Sequence, residues 1–181
     1  MVVAPPGVPP VNALVLACGV RPPDGAAVNR TVKLARPATV DRAGRPRSRV
    51  LHPVWEWDGT ELRGWIATSP LSPKHHDLEA TPFISLNYWT SNHDTCLAEC
   101  AATWTLDDAS RVAGWDRIKH APAPVGYDPS IIPGWDSPTA PGFGILEVVP
   151  TRLRVMPGSY MVKREGVLLT WADRAAPRTD Q

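Results

Sequence analysis

Three arginines alternate in "RPRSRVLHPVW", residues 45 to 55, at positions 45, 47 and 49. Alternate residues of a strand share a face, and like charges side by side repel unless an anion or a carboxylate sits among them. Further along, "TSPLSPKHHDLEATP" puts Ser72 where a helix N-cap belongs, Pro73 at the first helical position, Lys74 in the first turn and Pro82 past the end. A guanidinium fork, an ammonium and free helix N–H groups together form the donor set that best holds a dianionic phosphate. Lys74 beside the free N–H groups of a helix start is therefore a ready anion site, and Arg45 is the most readily exposed of the three arginines. The competing reading is a solvated face, or an edge strand guarded against aggregation by charge. The Ser72–Lys74 signal tips the balance toward the phosphate.

Other chemistry is poorly supported. His75, His76 and Asp77 are consecutive, and adjacent helical residues point about 100° apart, so they cannot chelate one metal together. His120 at a helix end suits the helix dipole. Cys18, Cys96 and Cys100 are odd in number and lack CxxC spacing, so neither a disulfide framework nor a zinc knuckle is indicated. A reducing, cytoplasmic compartment fits that count. No Ser-His-Asp or paired-carboxylate arrangement marks a protein-based nucleophile or acid.

The elements that must position the candidates are strands. With 43% hydrophobic residues in 181, the chain suits one domain, and its net charge of +1 gives no field toward nucleic acid or a membrane. Twenty-one prolines and 13 glycines favour short strands and turns over long helices. Residues 1–30 read as a Pro-rich, poorly ordered lead-in, 31–171 as the domain and 172–181 as a loose tail. "VNALVLACGV" imitates a signal peptide without its basic start. Within the domain, "TVKLARPATV" and "RSRVLHPVWEW" are strands joined by the turn Asp41–Gly44. Asp58-Gly59 turns the chain into "ELRGWIAT", completing a three-stranded meander. A short helix follows at Ser72, then the strands "FISLNYW" and "TCLAECAATWTL". Next comes a helix capped by Asp107 or Asp108 that turns Val112, Trp115 and Ile118 inward. Residues 121–142 form a long loop ordered by Tyr127 and Trp135. "FGILEVVP", "RLRVM" and "YMVKREGVLLTW" close the fold as strands. The sum is mainly β, of the α+β class, with about seven or eight short, mostly antiparallel strands, two or so flanking helices and a barrel-like closure.

"ATVDRAGRPRSRVLHPVW" followed by "WIATSPLSPKHHDLEATPFISLNYW" resembles the pyridoxamine 5'-phosphate oxidase-like family, over about residues 31 to 160. The resemblance implies a split β-barrel that binds FMN, or alternatively a deazaflavin, at the interface of a homodimer. It implies Arg47 or Arg49 with Ser72 and Lys74 around the cofactor phosphate, and Thr68 on the phosphate or ribityl chain. His52 would run along the isoalloxazine ring. Trp89 and Trp55 are the tryptophans best placed to line the cleft. The implied activity is a flavin-dependent oxidoreductase passing a hydride or electrons to a small planar substrate. The alternative is a split barrel that binds a flavin, deazaflavin or haem without turnover. The closing segment lacks the arginine- and histidine-bearing end of the true pyridoxamine phosphate oxidases, so vitamin B6 oxidation is not expected. Pro73 also replaces a residue that is often basic.

Overall fold

A computed structural model describes residues 35–57, 61–123 and 125–173. The expected lead-in, the Asp58-Gly59 turn and the end of the expected tail lie outside the described residues. The strands are β1 (Arg36–Val40), β2 (Pro46–Ser48), β3 (Pro53–Trp57), β4 (Leu62–Thr68), β5 (Phe83–Trp89), β6 (Thr95–Thr105), β7 (Gly144–Met156) and β8 (Leu169–Ala172). The helices are α1 (Lys74–Ala80), α2 (Asp108–His120) and α3 (Gly158–Lys163), with a 3-10 turn at Pro129–Ile131.

All strand pairings are antiparallel, in the order β2-β1-β5-β6-β7-β4-β3, with β8 added to β7. β2 and β3 are almost continuous in the chain, yet stand at opposite ends of this order. The sheet must therefore curl until its two edges are one short segment apart, and a lone bridge between Ala35 and Leu51 carries the β1–β2 register on into that segment. It is a split barrel, not a closed one. The expected meander is corrected here: "RSRVLHPVWEW" is two strands, and β4 takes β7 as its second neighbour.

The β1–β2 hairpin turns where Asp and Gly predict it. Gly44 adopts φ 78°, a left-handed value that favours glycine, and its N–H donates to the Asp41 carbonyl at 2.8 Å. The β6–β7 ladder slips at Glu99/Cys100, opposite Pro150, which has no N–H to give. On one side of that break β7 pairs with β4, and on the other with β8. "FGILEVVP" and "RLRVM" are thus one long bent strand rather than two.

Period-two alternation sorts the strands onto two faces. Inside the barrel, Ile66, Leu86, Leu146, Val148 and Leu153 form the main core, and the Trp55 indole N–H donates to the Tyr88 hydroxyl at 2.7 Å. On the outer face, α2 lays Trp115 and Ile118 over Phe143 and Ile145. Each such side chain contributes about 1.5–3 kcal/mol when fully buried. The helix backbone comes so close that a Cβ on Gly114 would stand 2.4 Å from Ile145 Cγ1. Gly114 fills the place that periodicity assigns to Val112, which is 41% exposed. Asp107 is the cap, its Oδ1 accepting from the Ser110 N–H. Trp135 is buried edge-on against Phe143, so the long loop packs as its aromatics suggest.

A third helix, α3, occupies part of the expected closing hairpin. Gly158 docks on the β5–β6 turn, where its N–H donates to Asp94 Oδ1 at 2.8 Å, and the helix starts from that contact. Cys100 is free and buried, and Cys96 is buried on the same face of β6.

Candidate functional site

Thr68 ends β4 with its side chain inside the barrel, and the two prolines of "SPLSPK" then hold the chain in a loop that delivers Lys74 back over the same end. The Lys74 ammonium donates to Thr68 Oγ1 at 2.7 Å and to Ser72 Oγ at 2.5 Å. Its residue is only 7% exposed and makes no ion pair among the described residues. Burial, with the positive charge of Arg49 nearby, pulls its pKa from the usual 10.5 to about 8. A desolvated cation on two neutral hydroxyls is a group short of an anion. Thr68, Ser72 and Lys74, read from sequence as one set, are thus brought together.

Ser72 does not act as the expected N-cap. Its hydroxyl donates to the Ser69 carbonyl at 2.7 Å, the cap position is Pro73, and α1 runs for only seven residues. The donors at this corner are therefore side chains more than helix N–H groups.

Arg45, Arg47 and Arg49 do share a face, with Thr39 of β1 opposite Arg47 and Asp41, just past β1, opposite Arg45. Asp41 accepts from Arg45 Nε at 2.9 Å, from Arg47 Nη2 at 3.0 Å and from the backbone N–H groups of Ala43 and Arg45. These donors, led by the Arg45 N–H, hold its carboxyl well below the usual range. Arg49 instead donates to Thr39 Oγ1 at 2.9 Å and lies 3.8 Å from Asp77 Oδ2, while the Thr39 hydroxyl donates to the same Asp77 oxygen at 3.0 Å. Part of the like-charge repulsion is thus relieved by carboxylates inside the chain. Arg49 is the arginine beside Lys74, and Arg47 stands on the outer rim.

His52 leads into β3 one residue before Pro53, which pairs with Ile66, so it lies at the Thr68 end of β4. Its ring meets Tyr127 edge-on at 5.5 Å. Trp89 lies at the far end of β5, 47% exposed and 5.5 Å from the His93 ring. With β1 running antiparallel to β5, Arg36 opposite Asn87 and Ala38 opposite Ser85, Thr39 and Asp41 lie toward the Phe83 end. Within one chain, then, Trp89 is not brought to the Lys74 corner. Thr39, Asp41 and Asp77 were missed as site residues. The hairpin register was the available signal, because a turn at 41–45 sets 39 and 41 across from 47 and 45. Among the described residues no group of three His, Cys, Asp or Glu could hold a metal, and no helix is long and apolar enough to cross a membrane.

No protein-family model matches the chain, and no curated protein matches it by sequence. Solved structures do match its fold. A protein of Clostridium acetobutylicum related to general stress protein 26, described as of the pyridoxinephosphate oxidase family, superposes with a TM-score of 0.58 at 14% identity. That match covers 77% of this chain and 85% of the other. A pyridoxamine 5'-phosphate oxidase-related, FMN-binding protein of Nostoc punctiforme gives 0.53 at 16% identity, over 69% and 75%. A heme-binding protein of Mycobacterium smegmatis gives 0.51 at 15%, over 78% of this chain and 53% of that one. The chain has the pyridoxamine 5'-phosphate oxidase-like fold, a split barrel. Identities this low speak for the fold alone.

Proposed function

We propose that the protein binds FMN with its phosphate at the Lys74 corner and is a flavin-dependent oxidoreductase acting on a small planar substrate. The observation that carries this reading is the buried Lys74 ammonium, held by Thr68 and Ser72 and flanked by Arg49, with no carboxylate of its own. The donor set fits a phosphate: two cations and two hydroxyls within one corner, with Asp77 offsetting part of the Arg49 charge. When bound, the flavin supplies the hydride or electron transfer. The chain's own residues do the rest. Lys74 and Arg49 anchor the phosphate, Thr68 orients the adjoining chain of the cofactor, and His52 with Tyr127 forms a wall beside the Thr68 end of β4.

We further propose a homodimer. Val40 of β1 and Phe83 and Trp89 of β5 are 38%, 51% and 47% exposed on the outer face of the sheet, and Val50, just past β2, is 55% exposed. No described element covers that face. Apolar residues gathered on one face mark an interface more than scattered ones do, and a second copy of the same face would also bring Trp89 toward a shared cleft.

A split barrel that holds flavin, deazaflavin or haem without turnover is the second reading, favoured by the likeness of fold to a heme-binding protein. Absorbance after incubation with FMN and with haem, followed by a nicotinamide donor, separates the two. FMN bound and bleached by the donor supports the oxidoreductase. FMN bound and inert to every donor and acceptor, or haem bound in its place, supports the carrier.

A further inference from the structure

A groove of about 660 Å³ opens between the β1–β2 turn and α1, within the size range of small-molecule sites. Arg42, Arg45, Arg47 and His76 border it, and Pro73 and Ala43 give it apolar wall. Two of its lining residues link it to the Lys74 corner: Pro73 precedes Lys74, and Asp77 is the carboxylate facing Arg49.

The charges in this groove are not balanced. Asp41 takes one arm of Arg45 and one edge of Arg47, and its oxygens are further occupied by two backbone N–H groups, so it fixes both arginines in place. Arg45 Nη1 and Nη2 and Arg47 Nη1 have no other hydrogen bond among the described residues. Arg42 is exposed and makes no ion pair among them. Asp77 is shared with Arg49 and Thr39. Three guanidiniums thus border a groove whose two carboxylates, Asp41 and Asp77, are both already engaged, with Glu79 of α1 the further carboxylate near Arg42.

We infer that this groove is a second anion subsite continuous with the Lys74 corner, and that the full ligand is a flavin whose phosphate is bonded to a further phosphate, as in a flavin dinucleotide. The inference rests on the phosphate reading of Lys74. One phosphate occupies Lys74 and Arg49, and a cofactor ending there would leave Arg42 and the outward arms of Arg45 and Arg47 without an anion beyond Asp41. A diphosphate spans both sets, with the group beyond it lying against Pro73 and Ala43.

The test is a fluorescence titration of the full chain with riboflavin, FMN and FAD at two salt concentrations, repeated on Arg42→Ala, Arg45→Gln and Lys74→Ala. FAD is expected to bind at least tenfold more tightly than FMN and to lose more affinity on raising salt. Arg42→Ala is expected to weaken FAD at least fivefold more than FMN, and because Arg42 makes no ion pair among the described residues it also controls for any loosening of the turn in Arg45→Gln. FAD binding no better than FMN, or an equal effect of Arg42→Ala on both, overturns the second subsite while the Lys74 reading stands. FMN binding no better than riboflavin, or unaltered by Lys74→Ala, overturns both.

Discussion

The Lys74 ammonium sits 2.7 Å from the Thr68 hydroxyl, although one belongs to a helix and the other to the last position of a strand. The contact closes a loop of two prolines and makes the end of β4 and the start of α1 a single unit. A ligand that engages one of these residues engages the other.

Replacing Lys74 or Arg49 by alanine should each cost about 1.5–3 kcal/mol of FMN binding, the worth of a charge-assisted hydrogen bond. In a fluorescence titration that is a loss of about 10- to 150-fold. Arg47→Ala should matter less for FMN, because Asp41 already engages its guanidinium. Equal binding by wild type and the Lys74→Ala variant would remove the phosphate from this corner.

Affinity and stability should respond to pH in opposite directions. Lys74 titrates near pH 8 in the folded chain, and only its charged form attracts a phosphate, so FMN affinity should drop about tenfold by pH 9. The sign for stability is the reverse. Between about 8 and 10.5 the unfolded chain holds the lysine proton that the folded chain has released, so ligand-free stability gains from Lys74 as pH rises through that window. Below pH 8 the cost of the buried charge is fully present. Denaturant melts of wild type and Lys74→Met, compared from pH 7 to 10, read the difference directly. A difference that stays constant over this range refutes the assignment.

Tyr88→Phe should destabilise the fold by about 1–3 kcal/mol. The Trp55 indole N–H would lose its acceptor inside the barrel. Gly114→Ala should cost a similar amount, about 1–3 kcal/mol, since the new methyl meets Ile145 where α2 lies against β7. Urea midpoints at unchanged m-value measure both.

Phe83→Glu should shift the chain from dimer to monomer in sedimentation, and FMN should oppose that shift by mass action. The residue is half exposed and belongs to neither buried cluster, so thermal unfolding of the monomeric variant should stay cooperative. A wild-type chain that sediments as a monomer at every concentration, with FMN present, would confine the site to one chain.

The sequence by itself determined the elements whose cause is local. The Asp41–Gly44 turn needs only a glycine able to take positive φ, and the Asp107 cap only a carboxylate three residues before an N–H. Period two marked β5 and β6, and the grouping of Thr68, Ser72 and Lys74 follows from seven residues of chain. Tertiary structure decided what depends on distant partners. Pro150 leaves β7 whole but makes it change neighbours, because the break lies in the ladder and not in the strand. "YMVK" is helical because Gly158 docks on Asp94, 64 residues away, where hydrophobic alternation reads as strand. The three arginines part company for the same reason. Their spacing puts them on one face, but only the folded hairpin and α1 supply Asp41 to two of them and Thr39 and Asp77 to the third.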